Sequence, residues 1–581
     1  MKKNIFIKSF SALLTSTALI GGMTSCGEDY LDKAPITSTS AADIASSIEG
    51  ARAAKTGLCQ GMYRQFTGSN LNGTNGEPWM QNFYGDMLGD SFLCNLYCGH
   101  GTSDTYATWK TLRQETYWGA QQMWVYCYNL INWANMIVEN IDNLDSYDGE
   151  RDFIKAVALS MRAHAYTHLV QCYSPNWENS DNGNVKGIII RTSSSTESLP
   201  FGTMNDALDL IYSDLQTAIK LFDECGWKRS FIWEPDGKVA RGLLARAALI
   251  KHDYTLAQKM AHEAREGYRI MSADEYMSGF VVANDEYMWA TMYEAPAQSI
   301  YYYAQGSYNA CNGRYQDSWG YTVNSIDYML YRKFPITDIR KKLYITPEFM
   351  QLNKELAEKH QVADYDFWSS DNIYTNGMRI QINQSKKSPG MNAFVIAYGK
   401  KEFDRLTPIN DFLSGTTPAY QSSGTEIMFG TQFKFWGNQI YGMNQWPFMR
   451  ASEMAYTEAE CAYRNGDEAT ARQILIDINK DLRDPEFTCT ASGEELLRTI
   501  KDYRSFELWG EGHNWFDLKR WHDPINRVAW EAGNPESGNR GTGFAQNFSP
   551  DDFYGWVICV PKTEFDYNKL ANRNDLPGGN K

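Results

Sequence analysis

Apolar residues recur at every third or fourth position along much of the chain, which is the period of a helix with one buried face. The pattern is clearest in residues 123–144, 151–175 and 203–222. The second of these segments stops at Pro175, since proline cannot continue a helix. The sequence therefore predicts a mainly α-helical protein.

Two further segments, residues 238–266 and 451–479, have the pattern of two antiparallel helices joined by a tight turn. Small residues recur where the paired helices would approach closely, as in tetratricopeptide repeats, which both segments resemble. The small residues are Ala245, Ala257, Ala459 and Ala471, and the predicted turns are His252-Asp253 and Asn465-Gly466-Asp467. The two units are far apart along the chain, so we do not expect a regular tandem array.

Residues 267–445 differ from the helical blocks on either side. They are rich in Gly, Asn, Ser, Tyr and Trp and have no helical period, and residues 377–403 indicate short strands and turns. Loops of this kind often carry binding residues, because a rigid scaffold positions them. We expect an irregular, loop-rich insertion on a helical scaffold.

The segment 503–521 combines charged and large apolar residues at helical spacing. We interpret it as one amphipathic helix whose apolar side chains pack and whose charges form an ion-paired network. The charged residues are Arg504, Glu507, Glu511, Asp517 and Arg520, and the apolar ones are Leu508, Trp515, Phe516 and Trp521. The spacing predicts a structural role for these charges.

The start of the chain has the layout of a secretory signal peptide. Basic residues precede an apolar run at 10–22 that is too short to span a bilayer comfortably. The run leads to Cys26, and this junction resembles the lipobox of bacterial lipoproteins, in which the cysteine is acylated. Glu28 and Asp29 are similar to the export signals of Bacteroidetes surface lipoproteins. We expect residues 1–25 to be a signal peptide and Cys26 to be lipidated; the alternative is a plain secreted protein.

Charge and cysteine usage exclude several kinds of partner. The 581 residues carry a formal net charge of −15, and no long Lys/Arg cluster follows the signal peptide. Nucleic acid is therefore not an expected partner, since binding to phosphates needs a basic surface. Cys94, Cys98 and His100 have loose metal-ligand spacing, but no second cluster completes a tetrahedral site. We predict no metal ion and no cofactor, and a local disulfide or free thiols at these cysteines.

Several motifs in a consistent order resemble the SusD/RagB family of surface lipoproteins from Bacteroidetes nutrient-uptake systems. The strongest are "YRSFELWGEGHNWFDLKRW" at residues 503–521 and "QWPFMRASEMAYTEAECAYRNGD" at residues 445–467. Upstream, "GDMLGDSF", "WVYCYNLINWAN" and the start "CGEDYLDKAP" are also similar to the family. The resemblance covers nearly the whole chain after the signal peptide.

The resemblance implies a binding protein and not an enzyme. Family members have a mostly helical fold with degenerate tetratricopeptide-like units, and they sit as lids on a SusC-like TonB-dependent outer-membrane transporter. They capture glycans, or peptides in some branches, and deliver them to that channel. For this chain it implies a protein anchored to the outer membrane through Cys26 and facing the cell exterior.

The implied organisation is a single SusD-like domain over residues 26–581. Its helical scaffold would occupy about 40–266 and 446–525, with a variable, loop-rich binding region at about 267–445 between them. Residues 526–581 would form a C-terminal segment. We therefore expect the ligand-binding residues in the loops and not in the helical scaffold.

The chain has 14% aromatic residues, with 18 Trp and 36 Tyr, more than a core alone would need. Indole and phenol rings stack on the C–H face of a sugar and have few torsions to freeze. Aromatic residues concentrate in segments 95–119 and 301–321, roughly where the family builds its binding site. The candidate stacking residues are Tyr97, Trp109, Tyr117, Trp118, Tyr302, Tyr303, Tyr308, Trp319 and Tyr321. The candidate polar contacts are Asp86, Asp90, Asn312, Arg314 and Asp317.

Core packing is the alternative for each of these aromatic residues, and it is the expectation for Trp124, Trp133 and Trp289. A peptide-binding member of the same fold, as in the RagB branch, would favour backbone-pairing edges and a polar cavity over stacked aromatics. A surface glycosidase would need two carboxylates about 5–10 Å apart across the scissile bond. Glu458 and Glu460 are two positions apart on one predicted helix and point to different faces. We therefore expect capture of oligosaccharides without catalysis.

Overall fold

The computed structural model describes most of the chain between residues 41 and 580. The described residues are 41–62, 76–93, 109, 112–144, 148–280, 282–292, 325–344, 379–382, 425–428, 430, 432, 434–435, 445–529, 531, 534, 536–540 and 545–580. Residues 41–581 form one compact unit. Among the described helices, none is long and apolar enough to cross a membrane. The predicted signal peptide and Cys26 lie outside the described residues.

Helices dominate the described residues, as the hydrophobic spacing predicts. The α-helices are α1 (Ala41–Ser46), α2 (Ile48–Gly61), α3 (Gly76–Met80), α4 (Trp118–Asn140), α5 (Glu150–Tyr173), α6 (Met204–Glu224), α7 (Gly237–Ile250), α8 (Tyr254–Arg265), α9 (Ala273–Tyr276), α10 (Tyr328–Tyr331), α11 (Ala451–Arg464), α12 (Glu468–Asn479), α13 (Gly493–Glu507), α14 (Asn514–Trp521), α15 (Asp552–Trp556) and α16 (Lys562–Tyr567). A π-helix covers Gln81–Met87, and 3₁₀ helices cover Ile141–Asn143, Trp177–Asn179, Ile339–Leu343, Arg573–Asp575 and Pro577–Asn580.

The described strands are short and pair in antiparallel twos. They are β1 (Phe92–Leu93), β2 (Lys186–Ile189), β3 (Phe201–Thr203), β4 (Tyr287–Ala290), β5 (Ser325–Ile326), β6 (Arg379–Ile382), β7 (Thr425–Met428) and β8 (Pro447–Arg450). The pairs are β1 with β5, β2 with β3, β4 with β8, and β6 with β7. Two of the pairs, β1 with β5 and β4 with β8, join the predicted loop-rich insertion to residues of the scaffold, whereas β6 and β7 both lie within the insertion.

The three long helices predicted from apolar spacing are present. α4 begins somewhat earlier than predicted, α5 ends just before Pro175, and α6 begins at Met204. α6 starts with a capping box, in which the Thr203 hydroxyl accepts from the backbone N–H of Asp206 and the Asp206 carboxylate accepts from that of Thr203. α5 packs against both α4 and α6 and is buried along most of its length.

Both predicted helical hairpins are confirmed. α7 and α8 form the first, with His252 in the left-handed region at φ 58° and Asp253 capping α8. α11 and α12 form the second, with Gly466 at φ 88° in the turn. The four small residues predicted at the helix contacts are all fully buried: Ala245, Ala257, Ala459 and Ala471. The pattern of small residues and turn residues therefore identified both hairpins.

The two hairpins pack on each other through α8 and α11. Arg246 donates to both oxygens of Glu453, at 2.7 Å each. Glu458 accepts from Arg265 at 2.6 Å and lies 3.0 Å from a ring nitrogen of His262. The degenerate tetratricopeptide-like units therefore form one layer although they are distant in sequence.

The interpretation of residues 503–521 as one helix is wrong. The segment is split between α13 and α14, because Gly510 and Gly512 have φ values of 75° and 84° and break the helix. Its charges are buried and paired, which confirms their structural role, but they form two networks. Arg504 and Arg520 both bind Asp517, whereas Glu507 and Glu511 belong to a second network.

Candidate functional site

The two aromatic-rich segments predicted to bind ligand are attached at neighbouring positions. The first segment, residues 95–119, begins just after Leu93. The second, residues 301–321, ends just before Ser325. Leu93 and Ser325 are partners in the β1–β5 pair. The end of one segment and the start of the other are therefore held side by side.

Other parts of the insertion also leave and return at paired positions. Tyr344 and Gln432 form an isolated β-bridge on either side of residues 345–431. The N–H of Thr291, within the insertion, donates at 2.8 Å to the carbonyl of Trp446, where the chain rejoins the scaffold. The insertion is thus fastened at its ends by main-chain hydrogen bonds.

Residues 507–512 lie beneath these attachment points, and we call them the floor. The Trp509 ring stacks on Phe92 with 5.1 Å between ring centroids and meets the edge of Tyr344 at 5.2 Å. Its Nε1 donates to the carbonyl of Ser91 at 2.9 Å. Trp509 thereby contacts Phe92, just before the first aromatic segment, and Tyr344, just before residues 345–431.

Lys434 ties the far end of the insertion to the floor. Its buried ammonium donates to the carbonyls of Glu507 and Trp509 and to the carboxylate of Glu511, at 2.6–2.9 Å. Burial lowers the pKa of Lys434 to about 8, even though Glu511 favours its charged form. Next to it, the Phe435 ring lies close enough to Gly510 that a Cβ there would sit 2.9 Å from a ring carbon.

A buried ionic network supports the floor from below. The Arg450 guanidinium binds both oxygens of Glu511, at 2.8 and 2.7 Å, and also binds Glu286 and Glu507. Arg483 binds both oxygens of Glu507 at 2.9 and 3.0 Å. The described cations of the network are Arg340, Lys434, Arg450 and Arg483, and its described anions are Glu286, Asp338, Glu507 and Glu511.

These charges balance, and that keeps the carboxylates ionised inside the protein. Burial alone would raise the pKa of Glu507, but Arg483 and Arg450 outweigh it and hold the pKa far below its usual range. Arg450, together with Lys434, lowers the pKa of Glu511 against the effect of burial. Carboxylates saturated in this way hold structure and are not available to transfer protons.

The π-helix packs on the floor from the amino-terminal side. Gly85 lies so close to Gly512 that a Cβ on Gly85 would sit 2.0 Å from the carbonyl oxygen of Gly512. The Asp86 carboxylate accepts the N–H of Gly512 at 2.7 Å. Burial raises the pKa of Asp86 to about 8, although this hydrogen bond opposes the rise. Asp86 is 1% exposed, so the prediction that it contacts a ligand is contradicted by its burial.

Asp90 lies at the end of the turn that leads into β1, and it is partly exposed. Its carboxylate accepts from the N–H of Asn526 at 3.3 Å and from the amide of Asn514 at 3.4 Å. Burial of the carboxyl raises its pKa, against the effect of these hydrogen bonds. A role for Asp90 in ligand binding stays a prediction.

Trp109 is an aromatic residue of the first predicted segment, and it is fully buried. Its ring stacks on Phe553 at 5.6 Å with an interplanar angle of 6°, and it also contacts Trp515. Residues 553–555 of α15 have left-handed backbone angles, so Phe553 reaches Trp109 from an unusual turn. The prediction that Trp109 stacks on a sugar is contradicted, because no face of the ring is exposed.

The remaining predicted site residues are not brought together by the described part of the chain. Tyr117 is partly buried against the core, and Trp118 begins α4 without a described side chain. Tyr97, Tyr302, Tyr303, Tyr308, Asn312, Arg314, Asp317, Trp319 and Tyr321 lie outside the described residues, as do Cys94, Cys98 and His100. Their roles stay predictions. Trp289 and Trp124 are buried and Trp133 packs on the core, as expected.

Two surface features were not identified from the sequence. Phe231 is 55% exposed and stacks on Trp233 at 4.9 Å, in the connection between α6 and α7. Tyr554 is 47% exposed and borders an open cavity of about 570 Å³, with Asn184 and Lys186 among its lining residues. The aromatic run 227–233 was a usable signal for the first feature. The second depends on the fold of the C-terminal segment, which has no sequence signature.

Comparison with known sequences covers both halves of the scaffold. A sequence model of the SusD family matches residues 252–575. A second model, described as starch-binding associating with outer membrane, matches residues 56–249. No curated protein matches the chain significantly.

Solved structures with low sequence identity share the fold. A SusD-like carbohydrate binding protein from Bacteroides vulgatus is 18% identical, with a TM-score of 0.65, over 91% of this chain and 98% of its own. A SusD superfamily protein from Bacteroides thetaiotaomicron is 18% identical, with a TM-score of 0.62, over 90% and 99%.

Surface glycan-binding protein A from Bacteroides thetaiotaomicron, solved in complex with laminarihexaose, is 14% identical to this chain. Its TM-score is 0.59 over 92% of this chain and 100% of its own. At these identities the likenesses show the mainly helical fold. The family match itself spans more than half of the sequence, and this chain therefore belongs to the SusD family.

Proposed function

We propose that this chain captures oligosaccharides at the outer membrane and delivers them to a partner TonB-dependent transporter. The observation that carries the proposal is the pairing of Leu93 with Ser325. It holds the residue just before the first aromatic-rich segment beside the residue just after the second, close to the floor. Membership of the SusD family and the glycan complex of a protein with the same fold support the same function.

The physical case rests on preorganisation. A sugar ring offers a C–H face to an aromatic ring and hydroxyl groups to polar side chains, and each contact is weak. Weak contacts add up only when the side chains are held in place beforehand, because ordering a loop on binding costs free energy. The floor supplies that order at the loop ends, through Trp509, Lys434 and the buried ionic network.

The pairing of the described carboxylates favours binding without hydrolysis. Glu507 and Glu511 in the floor are engaged by arginine and lysine, and the pKa of each is lowered. On α11, Glu458 pairs with Arg265, whereas Glu460 pairs with Arg520. The pKa values of Glu460, Glu507 and Glu511 are lowered, which is opposite to the raised pKa that a glycosidase acid needs.

Lipid attachment at Cys26, orientation toward the exterior and the transporter partnership belong to the same proposal. The description of the second family model, starch-binding associating with outer membrane, supports placement at that membrane. Replacement of Cys26 by alanine should move the protein from the outer-membrane fraction to the soluble fraction. Retention of the C26A variant in the outer-membrane fraction would contradict anchoring through Cys26.

Calorimetric titration tests the ligand class. The chain from residue 27 onward would be titrated against plant, host and microbial glycans, with a set of peptides alongside. We expect a glycan to bind, and we expect Trp319→Ala and Tyr97→Ala to weaken it about tenfold each, since losing a stacked ring removes roughly 1 kcal/mol or more. Phe231→Ala, which removes an exposed aromatic ring outside both segments, is the matched control and should leave affinity unchanged.

Two outcomes would overturn the proposed function. Binding of peptides with no binding of any glycan would favour the peptide-capture alternative. Release of new reducing ends during simple incubation with a glycan would show an enzyme. Unchanged glycan affinity in both the Trp319 and Tyr97 variants would leave glycan capture standing but would refute the assignment of the two aromatic segments.

A further inference from the structure

A cluster of two histidines and one glutamate lies inside the scaffold, away from the insertion. α5 carries His164 and His168 one helical turn apart on the same face, and α3 brings Glu77 against them. The Nε2 atom of His168 lies 2.6 Å from Oε1 of Glu77, and the Nε2 atom of His164 lies 3.2 Å from the same oxygen. The three groups can offer metal-ligand atoms that all lie within 4.8 Å of one another.

The surroundings of the cluster are closed and mostly apolar. Glu77 is 0% exposed, His164 2% and His168 6%. The His164 ring meets Trp289 edge-to-face at 5.2 Å, and the His168 ring faces Phe516 at 6.0 Å. A carboxylate in such a place needs a cationic partner, because burial strongly disfavours an isolated charge.

The hydrogen bonds of the cluster leave donor or acceptor capacity unused. The Nε2 atom of His164 makes no hydrogen bond although it points at Glu77, and the Nδ1 atom of His168 makes none either. An imidazole nitrogen without a hydrogen bond can offer its lone pair to a metal ion. The nearby cation Arg246 is already bound to both oxygens of Glu453.

We propose that Glu77, His164 and His168 bind one divalent transition-metal ion, for which Zn²⁺ is the best-suited candidate. Zinc takes histidine nitrogen and carboxylate oxygen at about 2.0–2.2 Å, and two histidines four positions apart on a helix suit it. Its tetrahedral ligand atoms lie roughly 3.3 Å apart. The Glu77–His164 distance already fits, and the Glu77–His168 distance of 2.6 Å would have to widen to admit the metal.

A group behind the ligands holds the carboxylate in place. The hydroxyl of Tyr126, on α4, donates to the second oxygen of Glu77 at 2.8 Å. Such a contact fixes the orientation of a ligating carboxylate, and its removal commonly costs 10–100-fold in metal affinity. The site therefore joins side chains from α3, α4 and α5.

The metal would act on the scaffold and not on the ligand. α3 runs directly into the π-helix, whose Asp86 holds the floor through Gly512. Fixing Glu77 to α5 therefore fixes the start of the segment that supports the floor. This role is independent of which molecule the insertion binds.

Metal analysis of the chain from residue 27 onward tests the proposal. The protein would be stripped with a chelator, offered Zn²⁺ and then desalted. We expect one equivalent of zinc, a higher melting temperature with zinc than without it, and, with Co²⁺ in place of zinc, the visible absorption bands of a four-coordinate site. Tyr126→Phe should weaken zinc binding about 10–100-fold.

His168→Gln and His164→Gln should each abolish stoichiometric binding. His252→Gln is the matched control, since His252 lies at the α7–α8 turn and should leave zinc uptake unchanged. If the two ligand variants fail to fold, the cobalt spectrum of the unaltered chain decides the question. No stoichiometric uptake by that chain, or equal uptake by both ligand variants, would overturn the proposal and leave a hydrogen-bonded cluster that shares a proton.

Discussion

Arginine–glutamate pairs occur in two regions, at the contact between the two helical hairpins and at the floor. The two regions bury these pairs to different extents. At the hairpin contact, Glu458 is buried while its partner Arg265 is 30% exposed in its side chain. In the ionic network beneath the floor, Arg450 and its partners Glu286, Glu507 and Glu511 are all buried. The hairpin pair can exchange with water, and the floor pairs cannot.

This difference decides what each region tolerates. A half-exposed pair contributes little, because water replaces either partner and salt screens the attraction. A fully buried pair has already lost its hydration, so removing one partner leaves an uncompensated charge in the interior. The hairpin contact depends mainly on its small buried residues, whereas the floor depends on the completeness of its network.

The largest loss of stability is expected from Arg450→Met in the ionic network beneath the floor. The substitution leaves Glu511 and Glu286 without their main cation, and we expect a loss of about 3–5 kcal/mol in the free energy of unfolding. Urea unfolding followed by tryptophan fluorescence measures it. A loss below about 1 kcal/mol would mean that the floor tolerates broken pairs as the hairpin contact does.

A pH-dependent effect is expected from Asp86→Asn at the edge of the floor. The pKa of Asp86 is about 8 in the folded protein against 3.8 for a free side chain. Between these values the folded form keeps a proton that the unfolded form releases, so this contribution to stability is lost as pH rises from about 4 to 8. The asparagine variant cannot release that proton.

The difference in unfolding free energy, variant minus wild type, should therefore increase as pH rises across that window. The urea titrations would be repeated at several pH values for both proteins. Lys434 titrates near the top of the window, with a pKa of about 8, and its charge interacts with Asp86, so the comparison is made below that pH. Parallel pH profiles would show that Asp86 has no raised pKa.

The smallest effect is expected from Arg265→Met at the hairpin contact. Glu458 retains His262, whose ring is exposed to water, so we expect a loss of at most about 1 kcal/mol, and the loss should shrink further at high salt. The same urea measurement checks it and serves as the matched control for Arg450→Met. A loss as large as that of the floor variant would remove the distinction between the two regions.

The hairpins could be predicted because their determinants are local. Small residues and a turn residue occur within one short segment, and Gly466 or Asp467 signals the turn directly. The floor could not be predicted, because its partners are remote. Glu507 meets Arg340 at a separation of 167 residues, and Glu511 meets Lys434 at a separation of 77. Nothing in the spacing of a single segment indicates such pairings.

The two misplaced site residues have the same explanation. Trp109 lies in a polar, irregular segment that reads as a surface loop, yet the ring that covers it belongs to Phe553 near the other end of the chain. Asp86 is covered by Gly512, which is 426 residues away. The proposed metal ligands His164 and His168 were also not identified from the sequence, although their four-residue spacing on a predicted helix is a usable signal.

The pairing of Leu93 with Ser325 means that the two aromatic segments should be exchanged together in any chimaera with a relative. Exchange of one segment alone would place a segment from the relative beside a native segment at the β1–β5 pair. Exchange of both together, cut at β1 and β5, would keep each joint intact and leave the floor untouched. If the two segments bind the ligand as proposed, its specificity should transfer to a relative only when both segments are exchanged together.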